Sequence, residues 1–255
     1  MYGLEQKVFA QLVYLKKEYK LQGIKAEFEA EGSSFRDIMR LRRLTAKADV
    51  KLFLKIGGVE AVRDIKDSLE LGIDGLIAPM AETKFGVKKF FDAYRSIYKG
   101  YKIHLSINIE TKNAIEEIDS ILDFAKDKID NITLGRTDLS ASYFDPKIIP
   151  DSDSVFKMIR DVGSKVRKSG LAFTVGGSIS LATIEKFRQN PASAEFINNI
   201  ETRKVVLPRD IAIGKKDAIK EALKFEELYI LSKKELSDLF IESEVSRLIK
   251  LTRRL

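Results

Sequence analysis

The sequence contains no cysteine, no tryptophan, a single histidine and only five prolines in 255 residues. Without cysteine there can be no disulfide, thiolate metal site or cysteine nucleophile. One histidine, His104, excludes any site that needs two. No apolar run approaches the roughly 20 residues that cross a bilayer. The first twenty residues, MYGLEQKVFAQLVYLKKEYK, lack a basic cluster followed by an apolar block and a small-residue cleavage site. They read instead as an amphipathic helix with Leu4, Val8, Phe9, Leu12 and Val13 on one face, and the expectation is a cytoplasmic protein with no membrane partner. No low-complexity segment or Ser/Gly/Pro-rich linker divides the chain, which predicts one domain over residues 1–255. A G-x-G-x-x-G turn after an early strand is also missing, which argues against a doubly wound dinucleotide-binding sheet.

Acidic charge is in modest deficit: 45 Lys and Arg stand against 38 Asp and Glu, a formal charge of +7. That balance suits nucleic acid or a small acidic ligand. The basic residues, however, alternate with acids along helix-like stretches such as EEIDSILDFAKDKID. The densest basic spots, RLRRL around 41–44 and LTRRL at the C-terminus, have no interleaved aromatics. They read as solvated helix faces, so the expected partner is a small anionic substrate and not nucleic acid.

What the chain does have is a regular alternation of short apolar runs and amphipathic stretches. Strands are predicted at 24–32, 51–58, 75–80, 102–110, 131–139, 171–177 and 204–208. Helices are predicted near 34–48, 59–71, 83–98, 112–129, 153–169, 181–189 and 214–231. After Asn113, Ile115, Ile118, Ile121, Leu122, Ala125 and Ile129 follow a 3.6-residue period. Alternating strands and helices predict a parallel sheet with helices outside, and the length suits a (β/α)₈ barrel with extra N- and C-terminal helices. Seven strands are clear and the eighth is unresolved. The segment 214–255 is expected to be helical, with a neighbouring subunit as one possible surface for it.

In a parallel barrel the strand C-termini share one face, where chemistry collects. Glu110 ends one predicted strand (KIHLSINIE) and Asp138 ends the next (NITLGRTDL). Two carboxylates that close share a proton or a cation, and an oxygen-only donor set suits Mg²⁺ or Mn²⁺. Read singly, each acid could equally cap the helix that follows it. In IKAEFEAEG, Ile24, Ala26, Phe28 and Ala30 alternate with Lys25, Glu27, Glu29 and Glu31. An inward-facing set of acids would be costly unless the upper ones, Glu29 and Glu31, reach a wet, charged site. Lys55 is the one charge in LFLKIGG; either it faces the reacting centre or it pairs with Glu29 or Glu31. TVGGSIS offers backbone N–H groups at Gly176, Gly177 and Ser178 as an anion cradle. His104 is placed six residues before Glu110, nearly 20 Å away at about 3.3 Å per residue, and reads as a buried, hydrogen-bonded residue low in the barrel.

On the stretches KIGGVEAVRDIKDSLELGIDGLIAPM, INIETKNAIEEIDSIL and ITLGRTDLSAS, the sequence resembles the citrate lyase β-chain/2-oxo-acid (HpcH/HpaI-type) aldolase family of the phosphoenolpyruvate/pyruvate barrel superfamily. The resemblance implies a (β/α)₈ barrel in which Glu110 and Asp138 hold Mg²⁺ or a similar ion. The ion chelates a pyruvate-like unit and stabilises its enolate beside the C–C bond that is made or broken. It also implies a homo-oligomer that exchanges its last helices. By the same resemblance Lys55, Glu29 and Glu31 are the catalytic candidates. Gly57, Pro79, Met80, Asn108, Arg136, Gly176, Gly177 and Ser178 are the substrate-binding ones. The chain departs from the aldolase pattern twice. Gly32 stands where a His is expected after the acids, and Lys55 stands near the position of an Arg that polarises the keto oxygen. Arg136 is an extra cation that could partly replace that Arg. The leading expectation is a metal-dependent C–C lyase acting on a 2-oxo acid. An acyl-CoA lyase of the citrate lyase type and a non-catalytic barrel are the alternatives.

Overall fold

The computed structural model describes residues 2–254. Eight strands close into a barrel in chain order: β1 (Gly23–Glu27), β2 (Leu52–Lys55), β3 (Gly75–Ala78), β4 (His104–Ile109), β5 (Asn131–Gly135), β6 (Ala172–Gly176), β7 (Asn199–Glu201) and β8 (Val205–Pro208). The helices are α1 (Gly3–Tyr19), α2 (Phe35–Lys47), α3 (Val62–Leu71), α4 (Lys84–Tyr98), α5 (Lys112–Glu116), α6 (Ile118–Ala125), α7 (Arg136–Ala141), α8 (Asp153–Lys168), α9 (Leu181–Gln189), α10 (Arg209–Gly214) and α11 (Ala218–Thr252). The expected α/β barrel with extra terminal helices is therefore the fold.

Local chemistry sets several boundaries. Ser34 and Asp37 form a reciprocal cap that starts α2. Thr83 and Thr111 cap α4 and α5 by accepting from the backbone N–H three residues on. Gly72, at φ 60°, ends α3 in the left-handed region. Along the strands, Ile24, Ala26, Leu52, Leu54, Ile107, Ile109, Ile132 and Leu134 are all fully buried under the helices. The residues between them face inward. In α1 the buried side chains are Glu5, Val8, Gln11, Leu12, Leu15 and Tyr19, whereas Val13 lies on the exposed side of the helix.

The structure corrects the predicted strands in three places. The first strand stops at Glu27, and the chain turns over 28–33, where the Gly32 N–H donates to the Glu29 carbonyl and the Ser33 N–H to the Phe28 carbonyl. The fifth stops at Gly135, and the residues predicted as its end, Arg136–Ala141, form α7. The missing strand is β7, only three residues long, which is too short to show an alternation. It also reverses the one that follows. Only Thr202, Arg203 and Lys204 separate β7 from β8, too few for a parallel crossover, so β8 runs antiparallel to both β7 and β1. Seven strands thus point their C-termini to one face, and the β7–β8 hairpin turns over at that same face.

Candidate functional site

The C-terminal mouth of the barrel holds a cavity of about 380 Å³. Its wall carries five carboxylates, Glu27, Glu110, Asp138, Glu201 and Glu226, against three cations, Lys25, Lys55 and Arg203. The inward side chains of β1 and β2 form a ladder, because Glu27 stands in register with Lys55. Lys25 Nζ lies 2.8 Å from Glu201 and 3.6 Å from Glu27, and Lys55 Nζ lies 3.7 Å from Glu27. Burial by itself lowers the Lys25 ammonium, but Glu201 and Glu27 outweigh it and hold it above the ordinary lysine value.

Glu110 is 2% exposed. One carboxylate oxygen accepts the Met80 N–H at 3.0 Å and the other the Asn108 amide at 3.2 Å. Burial pushes its carboxyl above the usual carboxylate range; Lys55, the Met80 N–H and Asn108 pull it back only partly, and Asp138 adds to the rise. Asp138 sits in the first turn of α7 on the same cavity wall. Its side chain makes no hydrogen bond or ion pair among the described residues.

These features fit a divalent cation. Lys25 and Lys55 make their ion pairs with Glu27 and Glu201, which leaves Glu110 and Asp138 without a direct ion-pair partner among the described residues, although the Lys55 charge still acts on Glu110. The Asn108 Oδ1 beside them is buried with no hydrogen-bond partner, an oxygen available to a cation or to one of its waters. No three Asp, Glu or His side chains converge as a metal-binding group among the described residues. Two carboxylates suffice for Mg²⁺, which keeps several of its waters and takes further oxygens from substrate.

The structure brings Lys55, Asn108, Glu110, Asp138, Gly177 and Ser178 to this cavity. It does not bring all the sequence candidates there. Glu29 and Glu31 lie on the turn after β1, because the strand ends before them; Glu29 is exposed, and Glu31 pairs with Lys204 on the hairpin. The ion-pair partner of Lys55 is accordingly Glu27, neither Glu29 nor Glu31. Arg136 is fully buried with its guanidinium turned away from the cavity, donating to the carbonyls of Pro150, Gly176 and Gly177 and pairing with Asp151 at 2.7 Å. It pins the β6–α9 loop and is not a substrate cation. Pro79 and Gly57 stand off the cavity wall, the Gly57 N–H being taken by Asp64 at 2.7 Å. Met80 contributes its N–H and exposes its side chain.

Gly176 has a packing reason: a Cβ there would come within 2.7 Å of the Glu201 Cγ. His104 is low in the barrel as expected, lining a separate cavity of about 130 Å³, but it is partly exposed and 3.9 Å from Asp130. Burial lowers the His104 imidazole, with Asp130 opposing and Lys51 adding to the drop. Sequence reasoning missed Lys25, Glu27, Glu201, Arg203 and Glu226 as site residues. The first two were visible in the inward-facing alternation of the first strand. The others depended on the unseen hairpin and on where α11 crosses.

Several solved structures share this architecture. An HpcH/HpaI aldolase from Desulfitobacterium hafniense DCB-2 aligns with TM-score 0.60 at 18% identity, over 86% of this chain and 89% of that one. A variant of the citrate synthase SbnG aligns with TM-score 0.58 at 18% identity, over 89% and 90%. An HpcH/HpaI aldolase/citrate lyase family protein from Burkholderia cenocepacia J2315 aligns with TM-score 0.58 at 15% identity, over 71% and 80%. At such identities the likeness speaks for the fold. No curated protein matches the chain in sequence. Residues 36–198, well over half of the chain, match the HpcH/HpaI aldolase/citrate lyase family, and the match covers Lys55, Glu110, Asp138 and the Gly176-Gly177-Ser178 loop. The chain belongs to the HpcH/HpaI aldolase/citrate lyase family, a membership that supports a lyase-type activity.

Proposed function

We propose that the protein is a divalent-metal-dependent C–C lyase that works through the enolate of a pyruvate-like unit, with a 2-oxo acid as substrate. The observation that carries this reading is the pair Glu110 and Asp138: two carboxylates with no direct ion pair among the described residues, one deeply buried, beside an orphaned amide oxygen. These two residues would hold Mg²⁺ or Mn²⁺. When bound, the ion supplies Lewis-acid polarisation of the substrate's keto and carboxylate oxygens.

The chain's own residues do the rest. Lys55 places an ammonium beside Glu110, where negative charge develops on the keto oxygen as the C–C bond breaks. Glu27 fixes that ammonium from the neighbouring strand. Gly177 and Ser178 leave the α9 end of the cavity open to the substrate carboxylate. The protein acts as a homo-oligomer, with the distal half of α11 on a second copy.

The test is thermal. With Mg²⁺ or Mn²⁺ plus oxalate, a pyruvate-enolate mimic, the melting temperature should rise. Saturation at 100 times the Kd corresponds to about 2.7 kcal/mol. No shift with either metal, with or without oxalate, would remove the basis of the proposal.

A further inference from the structure

We propose, on the basis of that reading, that Glu226 is the residue that takes the hydroxyl proton of the substrate during C–C cleavage. The site needs such a group. Breaking the bond between C3 and C4 of a 4-hydroxy-2-oxo acid turns the C4 hydroxyl into an aldehyde carbonyl, so a base must accept its proton. The bond's electron pair passes to the enolate of the pyruvate half. The accepted proton returns through solvent to C3, leaving pyruvate and aldehyde with atoms and charge in balance.

Histidine cannot be the base. His104 lines the other cavity, at the opposite end of the barrel. Of the five carboxylates at the mouth, Glu27 and Glu201 are held by Lys25 and Lys55, while Glu110 and Asp138 are assigned to the cation. Glu226 remains. It projects from α11 into the cavity wall, and among the described residues its carboxylate makes no hydrogen bond or ion pair.

Its position is also right for the aldehyde half. Glu110 directly follows β4 and Asp138 sits in the helix turn that follows β5, and in a ring of eight strands β4 and β5 face β8 and β1. The groups around Glu226 come from that far side: Arg203 and Lys204 on the hairpin, Lys25 on β1 and Glu31 on the following turn. Half-burial raises its carboxyl above the usual range, against the pull of Arg203, Lys204 and Lys25 and with Glu31 adding to the rise. A base held nearer neutrality transfers protons more effectively.

Two reactions separate this role from binding or folding. Cleavage of 4-hydroxy-2-oxoglutarate needs the hydroxyl proton removed. Decarboxylation of oxaloacetate forms the same enolate with no hydroxyl to deprotonate. In Mg²⁺-loaded protein, Glu226→Gln should lower the ratio of cleavage to decarboxylation by about 10² or more and flatten the acid limb of the cleavage pH profile. Glu226→Asp should recover part of the ratio. An unchanged ratio in a folded Glu226→Gln protein, whether both rates fall or neither does, overturns the assignment. A wild-type protein with neither activity and no metal-dependent thermal shift overturns the underlying reaction instead, and the assignment with it.

Discussion

Lys55 carries the sharpest residue-scale question, because it has both a structural partner and a chemical reason to be there. Its ammonium is 3.7 Å from Glu27, a long ion pair, and Glu27 also has Lys25 at 3.6 Å. Removing Lys55 therefore does not orphan Glu27, and the stability loss should stay below the roughly 3 to 5 kcal/mol of a buried charge left unpaired. Lys55→Met is expected to melt near wild type yet lose about 10² in kcat, measured with oxaloacetate and Mg²⁺. Wild-type turnover in that variant would leave Lys55 a structural cation only. Glu110→Gln and Asp138→Asn should each abolish the Mg²⁺-dependent thermal shift, checked by melting with and without the ion. The pH dependence has a defined sign. Burial raises the Glu110 carboxyl, so the folded protein binds this proton more tightly than the unfolded chain does. Below its ordinary value Glu110 costs the metal-free fold nothing; as pH rises through the raised value, the buried charge costs stability. Mg²⁺ affinity runs the other way and should weaken as pH falls through the same window, readable by titration calorimetry.

At the scale of elements, the glycines of the mouth set how closely the strands can approach the acids. A Cβ on Gly135 would sit 2.6 Å from Glu110 Oε2, a contact that a carboxylate can relieve only by moving. Gly135→Ala should thus weaken Mg²⁺ binding with little change in metal-free melting, as measured by calorimetry and thermal denaturation. Gly177 differs. Its φ is +80° and a Cβ would meet the backbone nitrogens of Arg136 and Thr137 at 2.7 and 2.6 Å. Gly177→Ala should lower the melting temperature, by about 1 to 3 kcal/mol in stability. The same elements explain what could be read beforehand. Glu110 was legible because it closes an apolar run just before a helix; Asp138 was placed at the right end of the barrel although it belongs to the first turn of α7 and not to the strand. Glu29 and Glu31 were misplaced because alternation continues past the point where the backbone turns, and side-chain pattern alone does not register a turn. β7 was invisible because three residues carry no period, and with it went the hairpin that supplies Arg203. Arg136 looked like a free cation beside the acids; its partners, the loop carbonyls near Gly177 and Asp151, come from distant sequence.

For the whole molecule, the unbalanced part is α11. Its 35 residues span about 52 Å. The proximal part packs Ala218, Ile219, Ala222, Phe225, Tyr229 and Ser232 against the protein, and the Glu235 carboxylate accepts the Leu4 N–H at 2.9 Å. From Ser237 on every described side chain is exposed, and the exposed ones include Leu239, Phe240, Ile241, Val245, Leu248, Ile249 and Leu251. Ile241, Val245 and Leu248 recur at spacings of four and three, the stripe by which one helix lies on another surface. Scattered apolar residues on a surface need no explanation, but a contiguous set on an unsupported helix marks an interface. Helices draw most of their stability from such packing, so this half of α11 needs a cover to stay ordered. A second copy of the chain is the cover the proposed oligomer provides. The measurement is light scattering on the full chain and on a chain ending at Asp238, which keeps the Glu235 contact. The full chain should run as an oligomer and the shortened one as a smaller species, with the Mg²⁺-dependent thermal shift of its barrel retained. A monomeric full-length protein at micromolar concentration would mean that the stripe on α11 serves no self-association.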